Sequence, residues 1–139
     1  MVDYLRQKSR PYLFSNTLPP AVVMGSLAAL DLLENDPSFV TRLRENTTYF
    51  RQQLTAKGVA VRKGIHPIVP IIIGDTAKAI AISAELLKRG VYVSGFGFPV
   101  VPQGAARLRC QISAAHTREH LDRAIEAIVE VGRKFEVVQ

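Results

Sequence analysis

The feature that most constrains this chain is a strict alternation in its last third. From Arg107 it reads Arg, Leu, Arg, Cys, Gln, Ile, Ser, polar and apolar in turn through Ser113. Successive strand side chains point to opposite faces. Leu108, Cys110 and Ile112 therefore share one face, and Arg107, Arg109, Gln111 and Ser113 share the other. Such a strand has one side against a core and one side open. Two guanidinium groups and a hydroxyl on one face make an anion-binding surface, because the planar fork matches carboxylate or phosphate bidentately. The plain alternative is an ordinary solvated face, and alternation alone does not separate the two.

The flanks of this strand favour the binding reading. Gly95 and Gly97 bracket Phe96, which suggests backbone held close to something else. Pro99 and Pro102 stiffen an apolar loop and remove two donors. Gln103 and Gly104 form a turn. After the strand, residues 113–117 read SAAHT, a small-residue stretch that lets a ligand or another domain approach.

The rest of the chain supplies helices and short strands. Residues 20–35 read as a helix that is apolar almost all round, so it should be buried on several sides. Asp36 and Pro37 open a second helix that stops at Gly58, with Val40, Leu43, Phe50 and Leu54 as its apolar stripe. Residues 59–61 begin a short strand. The β-branched run 68–73 lacks polar alternation and reads as a central, covered strand. Asp75 caps a helix over 76–89 with Ala77, Ile80, Ala81, Ala84 and Leu87 on its inner face. Residues 91–94 form the next strand, and Thr117 caps a final helix through Phe135 with Leu121, Ile125, Ile128 and Val131 or Gly132 inward. The connections are too short for a large parallel sheet. The expectation is an α+β fold, a small mainly antiparallel sheet with helices on one face, its other face left to water or a partner domain. The organisation expected is a single domain over 1–139, with residues 1–18 as an extended arm and 19–139 as an α+β body.

Bulk properties exclude several classes. A chain of 139 residues suits one domain with a real core. No apolar run approaches ~20 residues, so no membrane partner is expected. One cysteine, Cys110, rules out an internal disulfide and a cysteine-cluster metal site, and favours a reducing, intracellular setting. The expected localisation is cytoplasmic, or mitochondrial in a eukaryote. The net charge of +6 is spread along the chain without interleaved aromatics or a nucleic-acid motif, so no nucleic-acid partner is expected. His66 precedes a proline and reads as a loop histidine. His116 and His120 are spaced as a helical pair would be, but no acidic or cysteine ligand completes a metal set. Ser15, Asn16 and Thr17 present three polar groups before two prolines, a pattern that serves equally as a helix cap or as a phosphate contact.

Two blocks carry a family resemblance. Residues 95–117, GFGFPVVPQGAARLRCQISAAHT, and residues 4–23, YLRQKSRPYLFSNTLPPAVV, resemble the C-terminal domain of the α-oxoamine synthases, fold-type-I pyridoxal-phosphate enzymes, and most closely their glycine C-acetyltransferase branch. The resemblance covers the whole chain in order. It implies the C-terminal small domain of a fold-type-I transferase, with pyridoxal 5'-phosphate as cofactor once a large domain is present. The implied reaction joins acetyl-CoA and glycine to give 2-amino-3-ketobutyrate and CoA. The implied partners are those two substrates, the large cofactor-binding domain and a second copy of the chain. By position, Arg109 binds the α-carboxylate of the amino-acid substrate. Ser15, with Asn16 beside it, contacts the cofactor phosphate of the neighbouring subunit. Arg107, two residues from Arg109 on the same face, is expected to be structural. The Schiff-base lysine of the family lies in the large domain, before the start of this sequence. No catalytic residue is therefore assigned here, and the isolated chain is expected to be inactive. Two alternatives remain: an independent α+β binding or regulatory module, and the corresponding domain of another α-oxoamine synthase such as 8-amino-7-oxononanoate synthase.

Overall fold

A computed structural model describes residues 1–14 and 18–138. Contacts divide the chain into two units, Met1–Pro37 and Ser38–Gln139.

The first unit is helical. Helices α1 (Val2–Lys8), α2 (Arg10–Phe14) and α3 (Pro20–Asn35) follow one another. The arm expected to be extended is thus helical over most of its length. Pro11 sits in the first turn of α2, where a missing N–H costs no hydrogen bond. Helix α3 has no buried residue, against the expectation of burial on several sides. Two helices of seven and five residues cannot cover a sixteen-residue apolar one, and Met24 and Leu32 remain over 60% exposed.

The second unit holds the core. It runs through α4 (Ser38–Ala56), β1 (Ile68–Gly74), α5 (Thr76–Lys88), β2 (Ser94–Phe96), β3 (Ala106–Gln111) and α6 (Arg118–Lys134). The three strands form one antiparallel sheet in the order β1-β3-β2. The α+β class and the one-sided helical cover are as the sequence implied. Val69, Ile71, Leu108 and Cys110 are buried with Phe50 and Leu54 of α4, Ile82 and Leu86 of α5, and Leu121, Ile125 and Ile128 of α6. Helix α5 lies directly on all three strands, and α6 packs on α4 and α5.

Three expectations change. The strand β1 lies at the sheet edge, and the centre is β3. Pro70 is the reason: it has no N–H, and its carbonyl accepts from the Arg62 N–H on the side away from β3. A strand proline fits an edge whose outer side is loosely paired. Residues 59–61 give only an isolated bridge, Val61 to Ile71, rather than a strand. The inner face of α5 is Ala79, Ile82 and Leu86, while the expected stripe faces outward, with Ile80 and Leu87 each 57% exposed. The helix TAKAIAISAELLK is apolar on two sides, so periodicity does not fix its phase. The contact with β2 does, as described below.

Arg51 of α4 fastens the segment before β1. Its guanidinium donates to the carbonyls of Arg62, His66 (2.8 Å) and Ile68 (3.0 Å). Burial lowers its pKa from the ordinary guanidinium value. His66 accepts the Ile68 N–H at Nδ1 (3.1 Å), which makes it a turn residue.

Candidate functional site

The residues that could do chemistry lie on the uncovered sheet face. Buried Leu108 and Cys110 define the inner side of β3, so Arg107, Arg109 and Gln111 stand on the outer side, as the alternation implied. The register sets their neighbours. Arg109 lies opposite Pro70 of β1 and Ser94 of β2, and Arg107 lies opposite Ile72 and Phe96. The outer face is therefore a small patch of Arg109, Arg107, Gln111, Ser94 and Phe96.

The two arginines differ in how their donors are used. Arg107 is half-buried, and its Nε donates to the Ala105 carbonyl at 3.1 Å. The Arg109 side chain is exposed and makes no hydrogen bond or ion pair among the described residues. Its guanidinium carbon sits 4.8 Å from the centre of the Phe96 ring. With no protein partner for its side-chain donors among the described residues, the guanidinium is available to an incoming anion. Ser94, Arg109 and Gln111 also border a cleft of about 890 Å³. Pairing with β3 begins only at Ser94, and residues 90–93 line the cleft. The expected strand over 91–94 thus starts three residues late.

The glycines that bracket Phe96 lie against α5. A Cβ on Gly95 would meet the Ala79 carbonyl oxygen at 2.9 Å, and one on Gly97 would meet the Thr76 side chain at 2.2 Å. The Ser83 hydroxyl donates to the Val93 carbonyl (2.7 Å), and the Phe98 N–H donates to Thr76 Oγ1 (3.3 Å). These contacts fix which side of α5 faces inward.

The loop after β3 is held from α4. Asn46 Nδ2 donates to the carbonyls of Ser113 (3.1 Å) and His116 (2.8 Å). Sequence reading missed Asn46, since an asparagine in the middle of a helix carries no signal of a partner 67 residues away. His116 Nδ1 accepts the Ser113 N–H, and His120 Nδ1 accepts the Thr117 N–H. Thr117 Oγ1 accepts the His120 N–H in return, completing a capping box at the start of α6. One ring nitrogen of each histidine is thus committed to the backbone, and His116 precedes the helix. Among the described residues no three His, Cys, Asp or Glu side chains converge. Burial pushes the Cys110 thiol up to about 12, so it is no nucleophile near neutrality. Ser15 and Asn16 lie outside the described residues. Among the described residues no helix is long and apolar enough to cross a membrane.

The chain is similar to known proteins in sequence and fold. The family model for aminotransferase class I and II matches residues 1–128. The mitochondrial 2-amino-3-ketobutyrate coenzyme A ligase of Bos taurus is 50% identical over 96% of this chain and 32% of its own length. The 8-amino-7-oxononanoate synthase of Symbiobacterium thermophilum is 43% identical over 99% of this chain and 35% of its own. A solved structure of SPT with its PLP internal aldimine superposes with a TM-score of 0.90 at 28% identity, covering 98% of this chain and 35% of that one. The chain spans about a third of the length of the curated relatives it matches. With the family model matched across most of its residues, and with the fold of PLP-containing relatives, this chain belongs to the aminotransferase class I and II family.

Proposed function

We propose that this chain is the substrate-carboxylate-binding part of a pyridoxal-phosphate-dependent glycine C-acetyltransferase, which joins acetyl-CoA and glycine to 2-amino-3-ketobutyrate and CoA. The observation that carries the reading is Arg109, whose side-chain donors are free while its guanidinium sits over the Phe96 ring. A bidentate guanidinium–carboxylate pair fixes both the position and the plane of an amino acid, which a lysine point charge does not. That orientation matters for removing a proton from the α-carbon, because the breaking bond must stand perpendicular to the cofactor ring. Arg107, tied back to Ala105, has the structural role. The identity of 50% to the ligase against 43% to the oxononanoate synthase favours the glycine branch.

The amine for the cofactor's aldehyde is assigned to the preceding large domain, as the family resemblance implies. No lysine borders the cleft. Lys78 donates to the Phe135 carbonyl, while Lys88 and Lys134 engage Glu85. The chain's own contribution is thus binding and orientation of the substrate. Ser15 and Asn16 would add a contact to the cofactor phosphate of a neighbouring copy, checked by the PLP dissociation constant of Ser15→Ala in a complete dimer.

The test joins residues 1–139 to the preceding two thirds of the bovine relative and assays turnover with glycine and acetyl-CoA. We expect turnover in the chimera and loss of glycine saturation in Arg109→Lys, with Arg107→Lys close to the parent. A chimera that loads cofactor yet turns over other amino-acid and acyl-CoA pairs in preference to glycine and acetyl-CoA overturns the glycine branch. Equal small effects of the two substitutions overturn the role of Arg109.

A further inference from the structure

We propose that Phe96 is the positioning residue of Arg109: its ring, fixed from behind by α5, sets the plane in which the guanidinium meets a carboxylate. The inference rests on the carboxylate-binding reading above and adds the residue that makes it specific.

Arg109 is a long side chain on an open face. Left alone it would sample many rotamers, and each rotamer lost on binding weakens the complex. Its one ring contact is with Phe96, 4.8 Å away, and its side chain makes no hydrogen bond among the described residues. Register explains the contact. Phe96 lies opposite Arg107, and Ser94 opposite Arg109, so Phe96 reaches Arg109 along the diagonal of the ladder. Diagonal pairs on one sheet face are within reach of aromatic side chains. An arginine stacked on an aromatic face keeps its in-plane donors available, because the ring engages the face of the cation and not its N–H edge.

The ring itself is held. Backbone on both sides of Phe96 is fastened to α5 by two hydrogen bonds, Ser83 to Val93 and Phe98 to Thr76, and at Gly95 and Gly97 it runs too close to Ala79 and Thr76 to admit a Cβ. Gly95 and Gly97 permit this closeness, so the glycine–aromatic–glycine sequence works as one device. It presses the backbone onto the helix and raises a ring toward β3. Arg107, on the same sheet face, has its own hydrogen bond to Ala105 and serves as the internal control.

The experiment uses the full 139-residue chain, with the arginine Nε–H groups observed by NMR and acetate as the probe. In the parent chain, Arg109 should show an upfield ring-current shift and a side-chain order parameter well above the flexible range, below about 0.6. Phe96→Leu should bring the Arg109 order parameter into that range, leave Arg107 unchanged and weaken acetate binding about 3- to 10-fold. Phe96→Tyr should retain both properties. An Arg109 signal without a ring-current shift in the parent overturns the proposal without any variant. So does a folded Phe96→Leu chain with parental Arg109 order and acetate affinity. Should acetate leave the parent Arg109 signal unmoved, the carboxylate reading fails, while the order-parameter comparison still judges Phe96. Arg109→Gln supplies the converse check, abolishing the acetate response with the fold intact.

Discussion

On the inner face of the sheet, Val69, Ile71, Leu108 and Cys110 are closed off beneath α5 and the helices behind it. On the outer face, Arg109 and Gln111 remain exposed in this chain. The same backbone makes both faces. The inner one consists of residues chosen for volume, and each is surrounded by apolar neighbours. The outer one consists of residues chosen for donors, and Arg109 has none of its own engaged. Buried core and exposed donors are thus separated by one residue along β3, so stability and the proposed binding can be damaged independently.

The largest expected effect is on the inner face. Leu108→Ala removes a side chain only 1% exposed and should cost about 2–5 kcal/mol of unfolding free energy, measured by denaturant titration. Its outer neighbour Gln111→Ala should stay within about 0.5 kcal/mol of the parent. Comparable losses at both positions would show that the outer face is packed, and the comparison would break.

The outer face is read by catalysis in the complete chimera. Arg109→Lys should raise the glycine KM and lower kcat/KM, by about 2–4 kcal/mol of transition-state binding. Arg107→Lys should do much less. Both variants should unfold near the parent midpoint, since neither arginine belongs to the buried core. A large drop in the midpoint of Arg109→Lys would assign the residue to stability instead.

Gly95 tests where the two faces meet. Its added Cβ in Gly95→Ala points at the Ala79 carbonyl oxygen, and backbone yields less readily than a side-chain tip. A loss of about 1–3 kcal/mol is expected, the scale of overpacking. Because the strand must lift off α5 to relieve the contact, acetate binding at Arg109 should weaken as well. Destabilisation with unchanged acetate affinity would sever the link between the α5 contact and the outer face.

How much of this was legible follows from the same contrast. The alternation of β3 gave both faces residue by residue, because a period of two leaves no choice of phase. The helix α5 failed that test: TAKAIAISAELLK has apolar residues on two sides, and only its contact with Gly95 and Gly97 selects one. Those glycines were readable as a close approach but not as an approach to this helix. The strand β1 looked central from its apolar run, although Pro70 carried the opposite signal. Helix α3 looked buried, yet sequence gives the apolarity of a helix and not the presence of a layer against it. Arg109 was selected over Arg107 by resemblance. The sequence does not reveal that Arg107 is tied to Ala105 while Arg109 rests on a ring.

The smallest expected effect concerns how the inner face is kept closed. The Tyr49 hydroxyl of α4 donates to Asp122 of α6, and the Arg118 guanidinium lies 3.6 Å from the centre of the tyrosine ring. The hydrogen bond to Asp122 raises the Tyr49 pKa above its ordinary 10.0, with burial and the Asp122 charge acting in the same direction and Arg118 opposing them. A group whose folded pKa exceeds its unfolded value binds its proton more tightly in the folded chain. Its stabilising contribution is therefore complete below the unfolded pKa, near 10, and disappears as pH rises through the higher folded value. Denaturant midpoints of the parent and of Tyr49→Phe, taken from pH 7 to 11, isolate this residue, since Tyr4, Tyr12, Tyr92 and the lysines are common to both. The parent should be the more stable of the two at pH 7, and the gap should close on the alkaline limb. Parallel curves across that limb would mean that the Tyr49–Asp122 bond does not couple α4 to α6. The inner face would then be held shut without help from this bond.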